Sequence, residues 1–118
     1  MPHRDPHLLR HPGDHRGRDG PGARSGAHLL TRLAPTIARR AAERTPGSYP
    51  VTLLDHGLAK VSQKVGEEAV ETVVAAHAES DDRLANEAAD LLFHLLVLLR
   101  ARGVSLDTVL RTLEAREK

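Results

Sequence analysis

Five acidic side chains fall at helical spacing in the second half of this 118-residue chain. Glu68 and Glu71 stand three apart within "EEAVE" at 67–71, and Glu87 and Asp90 repeat that step in "EAAD" at 87–90. On an α-helix a three-residue step turns roughly 60° and climbs about one turn, so each pair can converge on one cation. Glu67 and Glu71, four apart, are neighbours in the same sense. The flanking Ala69, Val70, Ala88 and Ala89 are small or apolar, which places the acids beside a core rather than on a freely solvated face. Carboxylates gathered at reduced dielectric repel, so either cations fill the space or some of the acids take up protons. Hard oxygen donors with no His or Cys among them select Mg²⁺, with Mn²⁺ as the next choice. A di-iron carboxylate bundle would need E-x-x-H, and His94 instead lies seven after Glu87 and four after Asp90. One such pair alone is a common accident, because Glu is a good helix former. Two pairs on consecutive helices, each in an apolar stripe, are the specific signal.

The elements that must hold these acids follow from hydrophobic period. "AHLLTRLAPTIARRAAER" at 27–44 has Leu29, Leu30, Leu33, Ile37 and Ala41 near helical spacing, with Pro35 as the place where that first helix would kink or start. "RTPGSYP" at 44–50 reads as a turn. A second helix is expected from Asp55 or Gly57 to Ala78, with Leu58, Val61, Val65, Ala69, Val70, Val73 and Val74 as its apolar stripe. Gly66 costs that helix about 1 kcal/mol relative to Ala, which suggests that something packs close to its backbone. Ser80 or Asp81 caps a third helix that runs to about Arg102 and ends at Gly103; Ser105 caps a short fourth. The short "ESDD" connection makes the second and third helices antiparallel neighbours, so the two carboxylate pairs can face each other. An all-α fold, a four-helix bundle, is the expected architecture. Its third helix is apolar nearly all round over "LLFHLLVLL", and a chain this small gains from extra burial, so a homodimer is expected to complete it.

Composition narrows the function classes. One Phe, one Tyr, no Trp and a net charge of +1 give no stacking platform and no basic field, so no nucleic-acid partner is expected. The apolar run Leu91–Leu99 is far short of the ~20 residues of a membrane span. Absence of cysteine fits a reducing compartment, and the opening segment carries charges and prolines where a secretion signal would be apolar, so a cytoplasmic protein is expected. Residues 1–26 hold five of the nine glycines and four of the seven prolines, and read as a disordered extension to an all-α domain at 27–118. His3, His7, His11 and His15 recur there every four residues, a metal-binding spacing on a helix, but Pro2, Pro6, Pro12 and Gly13 oppose that helix.

These motifs resemble phosphoribosyl-ATP pyrophosphohydrolase of histidine biosynthesis, within the MazG-like all-α nucleoside triphosphate pyrophosphohydrolases. The group's E-E-x-x-E and E-x-x-D stand at 67–71 and 87–90; "GSYPVTLL", "KVSQKVGEEAVE" and "NEAADLLFHLLVLLRARGVS" resemble segments of the narrower family. The likeness covers about residues 29 to 115 and departs at Pro50 and Phe93, where Thr and Tyr are frequent. It implies a MazG-like bundle, dimeric, that hydrolyses a small nucleotide substrate, phosphoribosyl-ATP, to phosphoribosyl-AMP and pyrophosphate. Mg²⁺ would be held by Glu68, Glu71, Glu87 and Asp90, with Glu67 or Glu68 orienting or deprotonating the attacking water. Lys60 and Lys64 would meet phosphate oxygens, although an i to i+4 pairing such as Lys64 with Glu68 is an equal alternative for Lys64 and the favoured one for Lys60. Ser48 and Tyr49 would line the substrate site, with a turn residue and a packing aromatic as their alternatives; His94 is a substrate residue or a satisfied core histidine. A house-cleaning triphosphatase of the same group, or a helical dimerisation module whose acids only solvate it, are the competing readings.

Overall fold

The computed structural model describes residues 27–117. The expected disorder of 1–26, its histidine series and Lys118 lie outside the described residues. Five helices follow in order: α1 (Ala27–Glu43), α2 (Tyr49–Asp55), α3 (Leu58–Ala78), α4 (Asp81–Arg102) and α5 (Leu106–Arg116). The fold is all-α, as composition and periodicity require, with α3 and α4 as the dominant packed pair.

One helix more is present than periodicity predicts, because α2 occupies what reads as the end of a turn. Pro50 is the reason. It stands in the first turn of α2, where its ring pre-sets φ and its missing N–H would have had no intrahelical acceptor. Ser48 precedes it in extended conformation, so Pro50 opens a helix instead of breaking one. Pro35 is also accommodated: α1 runs unbroken from Ala27 to Glu43 with the exposed proline inside it. Gly66 behaves differently from expectation as well. A Cβ built there meets nothing within 4 Å, so no group among the described residues packs against that backbone.

Helix ends follow their local chemistry. Ser80 Oγ accepts the backbone N–H of Arg83 at 3.2 Å, and Asp81 and Asp82 sit in the first turn of α4. At the other end Gly103 adopts φ 74°, with its N–H donating to Arg100 O and the Val104 N–H to Leu99 O. That pair of bonds is a Schellman closure, which needs a left-handed residue. Gly103→Ala would meet no steric neighbour, so it is expected to destabilise by about 1 kcal/mol through φ alone, readable by urea denaturation.

The core is built from Ile37 of α1, Leu53 of α2, Val61 of α3, and Phe93, Leu96 and Val97 of α4. It lies at the end of the α3–α4 pair nearest α1 and α2, which leaves the middle of that pair to the acids. Among the described residues no helix is long and apolar enough to cross a membrane.

Candidate active site

Helices α3 and α4 are joined by only Glu79 and Ser80, so they return antiparallel and bring 68–71 opposite 87–90. Carboxylate oxygens of Glu68, Glu71 and Glu87 lie within 4.8 Å of one another. Glu68, Glu87 and Asp90 are each only 1% exposed, the burial of core residues. Asp90 exerts the largest charge effect on Glu68 and so completes the quartet. Burial first, then the charges of Asp90 and Glu71 and a hydrogen bond with Glu87, push the Glu68 carboxyl up to about 7. Its Oε1 is buried without a hydrogen-bond partner. The all-oxygen donor set of this cluster fits a hard divalent cation. Arg83, which periodicity alone does not single out, supplies part of the charge balance by pairing with Glu87 at 3.0 Å. Its i to i+4 spacing was the available signal.

Glu67 does not join the quartet. Its carboxylate accepts a hydrogen bond from Gln63 Nε2 at 2.8 Å and sits 3.8 Å from Lys64 Nζ. The Gln63 hydrogen bond, then the charges of Lys64 and Lys60, hold the Glu67 carboxyl below its ordinary value. It therefore lines, with Lys60 and Lys64, a separate shallow pocket of about 290 Å³ between α2 and α3. Lys64 is the more enclosed lysine at 8% exposure, whereas Lys60 lies at the surface.

His94 is a satisfied interior residue. Its Nδ1 must donate to the Asp90 carbonyl at 2.7 Å, and burial, reinforced by Lys64, depresses its protonation. In the neutral ring Nε2 accepts, so the Tyr49 hydroxyl donates across 2.8 Å. Tyr49 stacks on Phe93 at 5.9 Å, while His94 meets both rings edge-on. The bonds tie α2 to the backbone of a site acid and put Tyr49, not His94, on the pocket wall. Tyr49→Phe would strand a buried ring nitrogen, at an expected cost of about 1–2 kcal/mol in thermal or urea unfolding. Ser48 is 6% exposed and caps nothing; its Oγ has no hydrogen-bond partner.

A larger groove of about 440 Å³ runs between α1, α4 and α5, but Ala34, Leu96, Leu99 and Leu110 make its wall apolar and none of the five acids reaches it. Volume alone does not locate chemistry; convergent polar groups do.

Comparison with known proteins converges on one group. Residues 30–117, which contain every site residue above, match the family model for phosphoribosyl-ATP pyrophosphohydrolase. The chain is 55% identical over 91 residues to the phosphoribosyl-ATP pyrophosphatase of Pyrobaculum calidifontis, covering 77% of this chain and 97% of that protein. The corresponding protein of Erythrobacter litoralis is 57% identical over 90 residues, 76% of this chain and 86% of the relative. A histidine biosynthesis bifunctional protein, HisIE of Xylella fastidiosa, is 44% identical over 109 residues, 92% of this chain but 53% of its own length.

Proposed function

The chain belongs to the phosphoribosyl-ATP pyrophosphohydrolase family, and from that premise we propose that it cleaves phosphoribosyl-ATP between the α and β phosphates with Mg²⁺ bound at Glu68, Glu71, Glu87 and Asp90. The products are phosphoribosyl-AMP and pyrophosphate. One observation carries the metal site: a cluster of acids, with Glu68, Glu87 and Asp90 buried and Glu71 half-buried, in which Glu68 is pushed toward its protonated form by burial and by its neighbours. When bound, the ion would offset the charge of the triphosphate and of the departing pyrophosphate.

The protein's own groups divide the remaining work. Glu67 stays ionised beside Gln63 and Lys64 and lies outside the quartet, so it is the carboxylate left to orient the attacking water and accept its proton. Water adds to the α phosphorus as the α–β anhydride bond breaks, and the bridging oxygen departs with pyrophosphate. Lys64, paired with Glu67 on the pocket wall, meets a phosphate oxygen as a point charge. Tyr49, braced by His94, and the buried Ser48 shape the pocket side of the site.

A homodimer in the cytoplasm is part of this proposal. Val70 and Val73 of α3 are 63% and 59% exposed, and Leu92 of α4 is 47% exposed, so the helix pair that carries the acids also presents apolar side chains that a second copy would cover. Sedimentation is expected to give a dimer at micromolar concentration, and Val73→Glu a monomer. A stable folded monomer of the unmodified chain would end this part.

The activity is tested by pyrophosphate release from phosphoribosyl-ATP against a panel of ordinary nucleoside triphosphates, with and without Mg²⁺. Preference for phosphoribosyl-ATP supports the assignment. Equal turnover across the panel would make the chain a general house-cleaning triphosphatase, and no turnover a binding module.

A further inference from the structure

Lys60 stands about two turns before the acids on α3 without an ion pair of its own among the described residues. The first turn of that helix contains no acidic residue, its N-cap Gly57 offers no side-chain cap, and Lys60 stands there instead. A cation at the positive end of a helix macrodipole is unfavourable unless an anion comes to it. Among the described residues Lys60 makes no ion pair, in contrast to Lys64, which is 3.8 Å from Glu67. Both lysines line the 290 Å³ pocket, together with Thr52 and His56 at the end of α2.

The other lining groups add directionality. His56 Nδ1 must donate to the Thr52 carbonyl at 2.8 Å, which fixes the ring and leaves Nε2 as the atom for a ligand. Gln63 spends Nε2 on Glu67, so its amide oxygen is left to accept, for example from a sugar hydroxyl. Lys64 is turned to the Glu67 carboxylate on the same wall, which leaves the Lys60 ammonium for a ligand anion and the imidazole and amide acceptors for hydroxyls, a set that matches a phosphorylated pentose. By helical rise Lys60 lies about 12 Å along α3 from Glu68, too far for one phosphate to use both.

Phosphoribosyl-ATP has two phosphorylated ends: the triphosphate, and a ribose phosphate attached to the base. We propose that the α2–α3 pocket is the subsite for that second ribose phosphate, with Lys60 as its anion contact and His56 Nε2 accepting from a ribose hydroxyl, so that it selects phosphoribosyl-ATP over ATP. The proposal rests on the substrate reading above and gives Lys60 the monophosphate instead of the triphosphate. It deepens that reading by assigning the discrimination to groups outside the acid quartet.

Lys60→Gln and His56→Ala, both at exposed positions, are assayed for KM with phosphoribosyl-ATP and for competitive inhibition by ATP, with circular dichroism to verify folding. Loss of the Lys60 charge is expected to raise KM for phosphoribosyl-ATP about 10- to 100-fold, and loss of the His56 acceptor about 3- to 10-fold, while the ATP inhibition constant moves less than about twofold. Parallel rises for both nucleotides would assign these residues to the triphosphate and overturn the proposal, as would no change in either. If the unmodified chain does not turn over phosphoribosyl-ATP, the substrate reading fails on its own. The pocket is then decided by titrating ribose 5-phosphate into metal-free protein and following backbone amide shifts. Saturable shifts around Lys60 that vanish in Lys60→Gln support the subsite; none, or equal shifts with inorganic phosphate, overturn it.

Discussion

Glu68→Ala and Asp90→Ala are each expected to lower kcat by about 10³-fold or more while leaving the helices intact, because the proposed metal-centred charge clamp would supply several kcal/mol to a polyphosphate transition state. The two halves of this expectation come from different features of the structure. Turnover falls because Glu68 and Asp90 are buried donors on opposite helices, so losing either opens one side of the quartet. The fold survives because Glu68 is held in a repulsive setting. Its carboxyl is pushed up to about 7 by burial and by three acidic neighbours, so metal-free protein gains nothing from its ionised form. Glu68→Gln, which keeps the volume and drops the charge, is expected to be at least as stable as the parent at pH 8 without metal and equally inactive. A structural acid would give the reverse pattern, with stability lost and activity untouched. Pyrophosphate release and thermal unfolding on the same samples separate the two.

The part of this site that was legible in the sequence is the part governed by helix period. Three-residue spacing on two helices joined by a two-residue turn leaves little freedom, and Glu68, Glu71 and Glu87 meet as that geometry demands, with the charge of Asp90 acting on Glu68. What period could not resolve is which side of a helix an adjacent residue serves. Glu67 is one residue, about 100°, from Glu68. That rotation carries it out of the quartet and toward Gln63 and Lys64, a choice fixed by how α3 packs on α4 and α2. Pro50 misleads for a related reason. Proline is a breaker inside a helix and a starter in its first turn, and only the extended Ser48 before it tells the two apart. His94 shows a third limit: its place in an apolar helix is compatible with a ligand contact or a core role, and the Tyr49 hydroxyl that decides the matter comes from a residue 45 positions away.

Mg²⁺ is expected to stabilise the protein strongly at pH 8 and weakly at pH 5.5. The sign follows from linkage. Glu68 has a folded-state pKa of about 7 against an ordinary 4.5, so between those values the folded chain binds more protons than the unfolded one, and metal-free stability falls as pH rises. Below about 4.5 Glu68 is protonated in both states and carries no penalty; above about 7 its full penalty is present, on the order of 2 kcal/mol after solvent screening. On the proposed reading a divalent ion would bind the ionised quartet and offset that repulsion, but at pH 5.5 it would first have to displace a proton, which would weaken its apparent affinity. For a domain of this size each kcal/mol moves Tm by about 4–8 °C. Saturating Mg²⁺ is therefore expected to raise Tm by roughly 8 °C or more at pH 8 and by less than about a third of that at pH 5.5. In Glu68→Gln, where no proton has to leave, the difference between the two pH values should shrink. A Tm response of equal size at both pH values in the unmodified chain would mean that the ion binds somewhere other than this quartet.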